Sequence, residues 1–292
     1  MLSLPPTLKT NYTVATFTDS PQSTADWECF LAWLAAESGL DLLAYKPHQI
    51  YQRLAPRRQM ADFTTWTDYR RHLQVHPNVL KHLMQNLTIS VSSFFRDPEL
   101  WEILEQNLSS QPGSTPLRAW SAACAGGQEL YSLAILLDRS GRLAGSELIG
   151  SDCNGQSINQ AIRAEYRFTR LDEDLPEGLR GYAQARNSGY VLSERLRSAV
   201  SFRQEDLFRQ PFSGNWDLIF CRNLLIYLNE QAQTRLVRRL AQALRPGGLL
   251  FLGRSERVSL PSRLGLVQIV SCLYRRKELL QAEFPLHSGY QT

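Results

Sequence analysis

Ser121-Ala-Ala-Cys-Ala-Gly-Gly-Gln-Glu-Leu-Tyr-Ser-Leu133 is the stretch on which the fold turns. Arg118 to Ala122 is a short apolar strand and the small residues around Gly126 and Gly127 form a turn. Leu130, Leu133, Ala134 and Leu137 then recur at i, i+3, i+4, i+7, the period of a helix buried on one face. Glycine has no Cβ and tolerates φ > 0, so such a turn lets a ligand approach the main chain, where a helix N-terminus leaves N–H groups free. The pattern is not G-x-G-x-x-G, and similar turns are common in α/β proteins that bind nothing there. By itself the turn leaves ligand binding open.

Downstream, the strand–helix alternation repeats. The helix 128–138 is followed by a strand, 147–151, that ends in Asp152, 25 residues after Gly127. This is near the ~20-residue spacing at which an acid after the second strand takes ribose hydroxyls. A helix at 156–164 leads into a polar region, 166–198. Its turn signal Arg186-Asn-Ser-Gly189 predicts an inserted antiparallel hairpin. Val200 to Phe202, Trp216 to Phe220, Leu249 to Gly253 and Val267 to Tyr274 read as further strands. A helix from Glu230 to Leu244 stops at the turn Pro246-Gly247-Gly248. This alternation predicts an α/β fold with a doubly wound, mostly parallel sheet. Ligands of such sheets lie beyond the carboxyl ends of the strands, which points to residues 124–129, 152, 206 and 221–227.

The upstream third is different. Residues 1–23 read as a flexible, Pro/Ser/Thr-rich leader, and 24–88 as an all-α domain with apolar faces at Trp27, Phe30, Leu31 and Leu34, at Ile50 and Leu54, and at Tyr69, Leu73, Leu80, Leu83 and Leu87. Pro47 suits the first turn of the second helix, placing Arg53 and Arg57 on one face. Pro56 predicts an end or kink near Leu54. A linker and connecting helix occupy 89–116, the α/β domain 117–276 with its insertion at about 167–199, and a polar tail 277–292.

The 292 residues are 43% hydrophobic and 21% charged, which describes a globular protein with ample core. No apolar run approaches the ~18 residues of a membrane span and no signal peptide is evident, so a cytoplasmic location without membrane insertion is expected. Five scattered cysteines without C-x-x-C predict reduced thiols, and five histidines without H-E-x-x-H predict no metal. Charge is uneven: residues 41–90 hold seven bases against three acids, a surface suited to an acidic partner.

Four ordered motifs, Ser92-x-Phe-Phe-Arg96, Trp120-Ser-Ala-x-Cys-x-x-Gly-x-Glu-x-Tyr-Ser132, Cys221-Arg-Asn-x-x-Ile-Tyr227 and Gly247-Gly-Leu-Leu-Phe-Leu-Gly-x-Ser-Glu256, together with Ser38 to Lys46, resemble the CheR-type chemotaxis receptor methyltransferases. The resemblance covers about residues 25–276. It implies a class I S-adenosylmethionine-dependent fold and methyl esterification of glutamate side chains on the cytoplasmic helices of chemoreceptors. It further implies that Glu129 and Asp152 hold the amino-acid and ribose ends of the cofactor, that Asp206-Leu207 and Cys221-Arg222 flank its adenine, and that Ser90, Ser92 and Arg96 close over its methionine end. Arg96 and Tyr227 would approach the methyl group, and Lys46, Arg53, Arg57 and Arg58 would meet the acidic receptor helix.

Some positions depart from the family. Ser90 stands for Asn, Ser92 for Thr, Gly127-Gln-Glu-Leu-Tyr131 for Gly-Glu-Glu-Pro-Tyr, and Asp206 for Asn. Ser92 keeps a hydroxyl and Asp206 an acceptor, while Ser90 lacks an amide. The alternative is a degenerate relative that binds the cofactor, or its product S-adenosylhomocysteine, as a sensor or scaffold. Methylation of nucleic acid is disfavoured, since no aromatics interleave with the arginines. A monomer and a receptor interaction independent of a pentapeptide tether are expected.

Overall fold

The computed structural model describes residues 21–38, 40–85, 87, 92–109, 115–168, 175–212 and 214–278. Four helices, α1 (Pro21–Ser38), α2 (Pro47–Met60), α3 (Trp66–Val75) and α4 (Pro77–Gln85), form the N-terminal part. α1 therefore begins inside the stretch read as a leader, whose residues 1–20 lie outside the described residues. Trp27, Phe30, Leu34, Ile50, Leu54, Trp66, Tyr69 and Leu73 make its core, with the Trp66 ring 4.7 Å from Trp27 and 4.8 Å from Phe30.

α2 does not stop at Leu54 as Pro56 predicts but runs through to Met60. Pro56 lacks the N–H that would bond back one turn, yet Ile50, Leu54 and Ala55 are all buried on the other side. Packing of that apolar face outweighs the lost bond, and the Arg57 guanidinium donates to the Arg53 carbonyl on the solvent side.

After α5 (Pro98–Ser109) come β1 (Arg118–Ala122), α6 (Gln128–Arg139), β2 (Glu147–Asp152), α7 (Gly155–Arg163), β3 (Glu165–Arg167), β4 (Ala183–Arg186), β5 (Gly189–Leu192), α8 (Glu194–Arg197), β6 (Val200–Gln204), β7 (Trp216–Cys221), α9 (Glu230–Ala243), β8 (Leu244–Leu252), β9 (Leu266–Val270) and β10 (Leu273–Arg276). The main sheet has seven strands in the order β6-β2-β1-β7-β8-β10-β9, parallel from β6 to β8 and antiparallel at β10 and β9. Alternate strand residues face opposite layers. Ala119, Leu218, Phe220, Leu249 and Phe251 pack with α5 and α6, whereas Trp120, Ala122, Ile219, Leu250 and Leu252 pack with α9. The insertion is a three-stranded antiparallel sheet, β3-β5-β4, with Asn187-Ser188 turning β4 into β5.

Two boundaries differ from the sequence expectation. Residues 246–248 are not a turn between helix and strand, because β8 starts at Leu244. Its pairing with β7 runs Trp216 to Leu244 and resumes at Leu218 to Leu249, so Pro246-Gly247-Gly248 bulges from an extended segment. The run 267–274 is two strands, β9 and β10, which pair antiparallel as a hairpin at the sheet edge. Ile269 and Val270 before the reversal and Leu273 and Tyr274 after it are apolar, so composition did not mark the turn at Ser271-Cys272.

The helical part docks on the α/β part through main-chain groups. Tyr45 bridges Leu228 antiparallel, Lys46 N donates to Tyr227 O at 2.8 Å and Asn229 N to Ala44 O at 2.9 Å. Lys46 Nζ donates to Ile226 O at 2.8 Å. Asn229 has two tasks: its Oδ1 caps α9 by accepting from Ala232 N, and its Nδ2 donates to Leu43 O.

Gly189 offers a test of the inserted sheet, since a Cβ there would lie 2.0 Å from the Tyr166 carbonyl oxygen. Gly189→Ala is expected to lower stability by about 1–3 kcal/mol by forcing β3 from β5, measurable by urea unfolding against the parent protein.

Candidate functional site

Charged side chains converge at the carboxyl ends of β1, β2, β6 and β7. Tyr45, Arg53, Ser92, Arg96, Ala123 to Ala125, Glu129, Asp152, Cys153, Glu205 to Phe208, Arg222 to Leu224 and Tyr227 line one cleft. The turn after β1 contributes differently from the expectation. Ala123 and Ala125, at φ 64° and 49°, form its cleft side. Gly127, at φ 87°, is packed instead against protein: a Cβ would meet Ala161 Cβ at 2.8 Å and Phe202 at 2.9 Å. The glycine is required by its positive φ and by the approach of α7 and β6.

Asp152 sits where β2 ends, held by Ala125 N at 2.9 Å on one oxygen and Asn154 N at 2.8 Å on the other. Each oxygen keeps a lone pair, so the carboxylate can accept a vicinal diol. Burial pushes its pKa above the ordinary carboxylate range, with the two N–H groups pulling the other way. Glu129 lies in the first turn of α6, accepting from Ser121 Oγ at 2.7 Å and pairing with Arg222 Nη1 at 3.5 Å. Its pKa is also raised by burial, against the opposing pull of Arg222 and Ser121.

Arg222 follows β7. Its side chain is only 2% exposed; Nη2 donates to Asp97 Oδ2 at 2.7 Å and to the Arg96 carbonyl at 2.8 Å, and the guanidinium lies 5.4 Å from the Phe251 ring centre. Asp206 gives one oxygen to Phe208 N at 2.8 Å. Its other oxygen is buried without a hydrogen bond among the described residues, the nearest cation being Arg209 Nε at 3.8 Å. This oxygen keeps its capacity to accept an N–H or O–H. Cys153 has its thiol pushed up to about 12 by burial and by Asp152, so it stays protonated and is no nucleophile.

The structure thus brings Ser92, Arg96, Glu129, Asp152, Asp206, Leu207, Arg222, Tyr227 and Arg53 to one cleft. It does not bring Cys221, which is fully buried on the α9 side because strand alternation turns it away where Arg222 turns in. Ser90 lies outside the described residues. Of the basic group, only Arg53 lines the cleft, 5.2 Å from the Tyr227 ring centre and donating to Leu87 O at 2.6 Å. Lys46 is spent on the domain junction, Arg57 on the Arg53 carbonyl and Arg58 on the Trp66 ring, 4.6 Å away. Sequence reading missed Tyr45, whose phenol is kept neutral by burial and by the acids around it. It entered the cleft only through the docking of the helical part, and no local pattern marks that. Ser132, present in the Tyr-Ser motif, is also explained: it accepts from Phe95 N and donates to Gln128 O, tying the linker to α6.

A parallel sheet with an antiparallel hairpin at one edge, and acids after its first two strands facing one cleft, defines the class I methyltransferases. The donor set fits their cofactor, a zwitterionic nucleoside: Asp152 has diol-accepting capacity, Asp206 an unfilled buried acceptor, and Glu129 a carboxylate beside the cleft. Comparison with known proteins narrows this. Residues 90–271 match the family model described as CheR methyltransferase, SAM binding domain, and residues 25–88 the one described as CheR methyltransferase, all-alpha domain. A chemotaxis protein methyltransferase of Listeria innocua is 30% identical over 87% of this chain and 98% of its own. Chemotaxis protein methyltransferase 1 of Pseudomonas aeruginosa is 32% identical over the same shares, 87% and 98%. The chain belongs to the CheR methyltransferase family. It is a methyltransferase and its cofactor is S-adenosylmethionine.

Two outcomes are expected. Arg222→Met leaves Glu129 and Asp97 without their shared cation and should destabilise the fold by about 3–5 kcal/mol in denaturant titrations. Glu129 and Asp152 have folded-state pKa values raised above the unfolded ones. Their ionisation therefore opposes folding, and lowering the pH through the raised values adds stability from these two groups. If Glu129 and Asp152 hold the cofactor as carboxylates, its binding should weaken over that same window above the ordinary carboxylate range. Calorimetric titration against pH should show that loss, and Asp152→Asn should flatten it while weakening binding throughout.

Proposed function

We propose that the chain methyl-esterifies glutamate side chains on the cytoplasmic helices of chemoreceptors, as part of chemotaxis. The relatives named above as chemotaxis protein methyltransferases support the setting. The observation that carries the site reading is Arg96. Three arginines line the cleft; Arg222 is paired with Asp97 and Glu129 and Arg53 is bonded to the Leu87 carbonyl, while the Arg96 guanidinium makes no hydrogen bond or ion pair among the described residues.

S-adenosylmethionine, when bound, supplies a methyl group made electrophilic by its sulfonium. Asp152 would take its ribose hydroxyls, Asp206 and Leu207 its purine end, and Glu129 and Ser92 its amino-acid end; Arg222, paired with Glu129, would serve that amino-acid end in place of the adenine contact the resemblance implies. A glutamate of pKa near ~4.3 is ionised at neutral pH, so none of the cleft residues needs to act as a base. The remaining task is alignment. Arg96, with paired N–H donors, orients the incoming carboxylate and replaces its water, while Tyr227 and Arg53 form the wall on the helical side. Because opposite charges are consumed in the reaction, a strongly charged site would favour the ground state; Arg96 acts chiefly by positioning. The basic residues Arg53, Arg57 and Arg58 on one helix give an acidic receptor helix a complementary approach to the cleft.

Incubation with a labelled methyl donor and receptor-containing membranes tests the reading. Base-labile label on the receptor is expected; label on nucleic acid, or cofactor binding without transfer, would reject it in favour of the other readings. Arg96→Ala should lower turnover at saturating receptor by about 10²-fold, a larger loss than that in S-adenosylhomocysteine affinity, to which Asp152 and Glu129 would still contribute.

A further inference from the structure

Glu256 closes the last of the four sequence motifs and has no role in the site as described so far. It is 2% exposed, yet no cationic side chain pairs with it among the described residues. Its carboxylate is held by main-chain N–H groups instead. Oε2 accepts from Gly253 at 2.6 Å and Asn223 at 2.8 Å, and Oε1 from Leu225 at 2.7 Å and Ile226 at 3.4 Å. Three of these four donors belong to the loop that follows β7. That loop carries Arg222 at one end and Tyr227 at the other, both on the cleft wall.

The loop needs such an anchor. Asn223 sits at φ 59°, in the left-handed region that asparagine tolerates better than most residues, and Glu256 Oε2 fixes its N–H there. On its outer side the same loop meets the helical part: the Ile226 and Tyr227 carbonyls accept from Lys46 Nζ and N, and Leu228 bridges Tyr45. The loop is therefore a single layer of chain between a buried carboxylate and a docked domain. A carboxylate suits this place because it offers lone pairs on both oxygens and no proton, so all converging groups can be donors. An amide of the same shape turns one oxygen into a donor facing donors.

From this geometry we infer that Glu256 is a positioning residue for methyl transfer. It fixes residues 223–226 so that Tyr227 stands in the cleft and its backbone meets Lys46 of the helical part. The inference rests on reading Tyr227 as a residue at the reacting centre.

The test uses the full chain carrying Glu256→Gln, Tyr227→Phe, or both. Turnover with receptor membranes should fall about tenfold to a hundredfold in Glu256→Gln, while S-adenosylhomocysteine affinity changes less, since Asp152 and Asp206 follow other strands and Arg222 is held separately by Asp97 and the Arg96 carbonyl. The double variant should be no slower than the slower single one, because both act through one group. Amide exchange should accelerate in peptides covering 222–229 and 41–46 but not in the core of the helical part. Wild-type turnover in Glu256→Gln, losses that multiply in the double variant, or unchanged exchange in both segments would overturn the inference. If the parent protein transfers no methyl group to receptors, the substrate reading has failed and the exchange measurement alone decides the role of Glu256. Should Glu256→Gln not fold, Glu256→Asp, one methylene short, takes the same measurements with the same expected signs.

Discussion

A guanidinium with 2% side-chain exposure needs anionic partners from more than one direction, and Arg222 draws its own from separate parts of the chain. Asp97 and the Arg96 carbonyl come from the linker, Glu129 from α6, and the ring of Phe251 from β8. Linker, first helix and central strand are thus joined at one atom group. Buried ion pairs are poor sources of net stability, since desolvation offsets most of the attraction, but breaking one is severe because the remaining charges stay buried. The arrangement therefore fixes geometry more than it adds stability. Glu129 cannot turn away from the cleft, and Arg96 cannot leave it, without stranding Arg222.

Around this centre the backbone is held in unusual conformations. Phe95, Asp97, Ala123, Ala125 and Asn223 all have positive φ. Several are secured by a specific side chain: Phe95 N by Ser132 Oγ, Ala125 N by Asp152, and Asn223 N by Glu256. Each such residue costs on the order of 1–3 kcal/mol and persists only where the surroundings over-determine it. Ala123, Ala125 and Asn223 lie where the chain leaves a strand abruptly, and Phe95 and Asp97 lie in the linker just before α5.

Much of this was legible in the sequence. The periodicity of residues 118–137, the acid ending β2 and the Arg186–Gly189 turn gave the parallel sheet, its direction and its inserted hairpin, because these are local signals. Other features escaped for physical reasons. Pro56 acts locally against a helix that distant packing maintains. The hairpin β9–β10 is apolar on both sides of its turn, and Pro246-Gly247-Gly248 carries turn chemistry inside an extended strand. The site was visible where residues follow strands, as Glu129, Asp152, Asp206 and Arg222 do. Tyr45 and Glu256 were not, since their contacts join residues far apart in sequence. Of the neighbours Cys221 and Arg222, only Arg222 enters the cleft, because in a strand one residue changes the face.

The junction between residues 41–46 and 226–229 also orders the events of folding. A contact between segments some 180 residues apart cannot form until most of the chain exists. The helical part carries its own aromatic core around Trp66, whereas Ala44 and Tyr45 at its edge pack with the α/β part. One wall of the cleft thus lies far upstream of the loop that receives it. The cleft is complete only when the loop after β7 meets that edge, so its assembly is a long-range event rather than a local one.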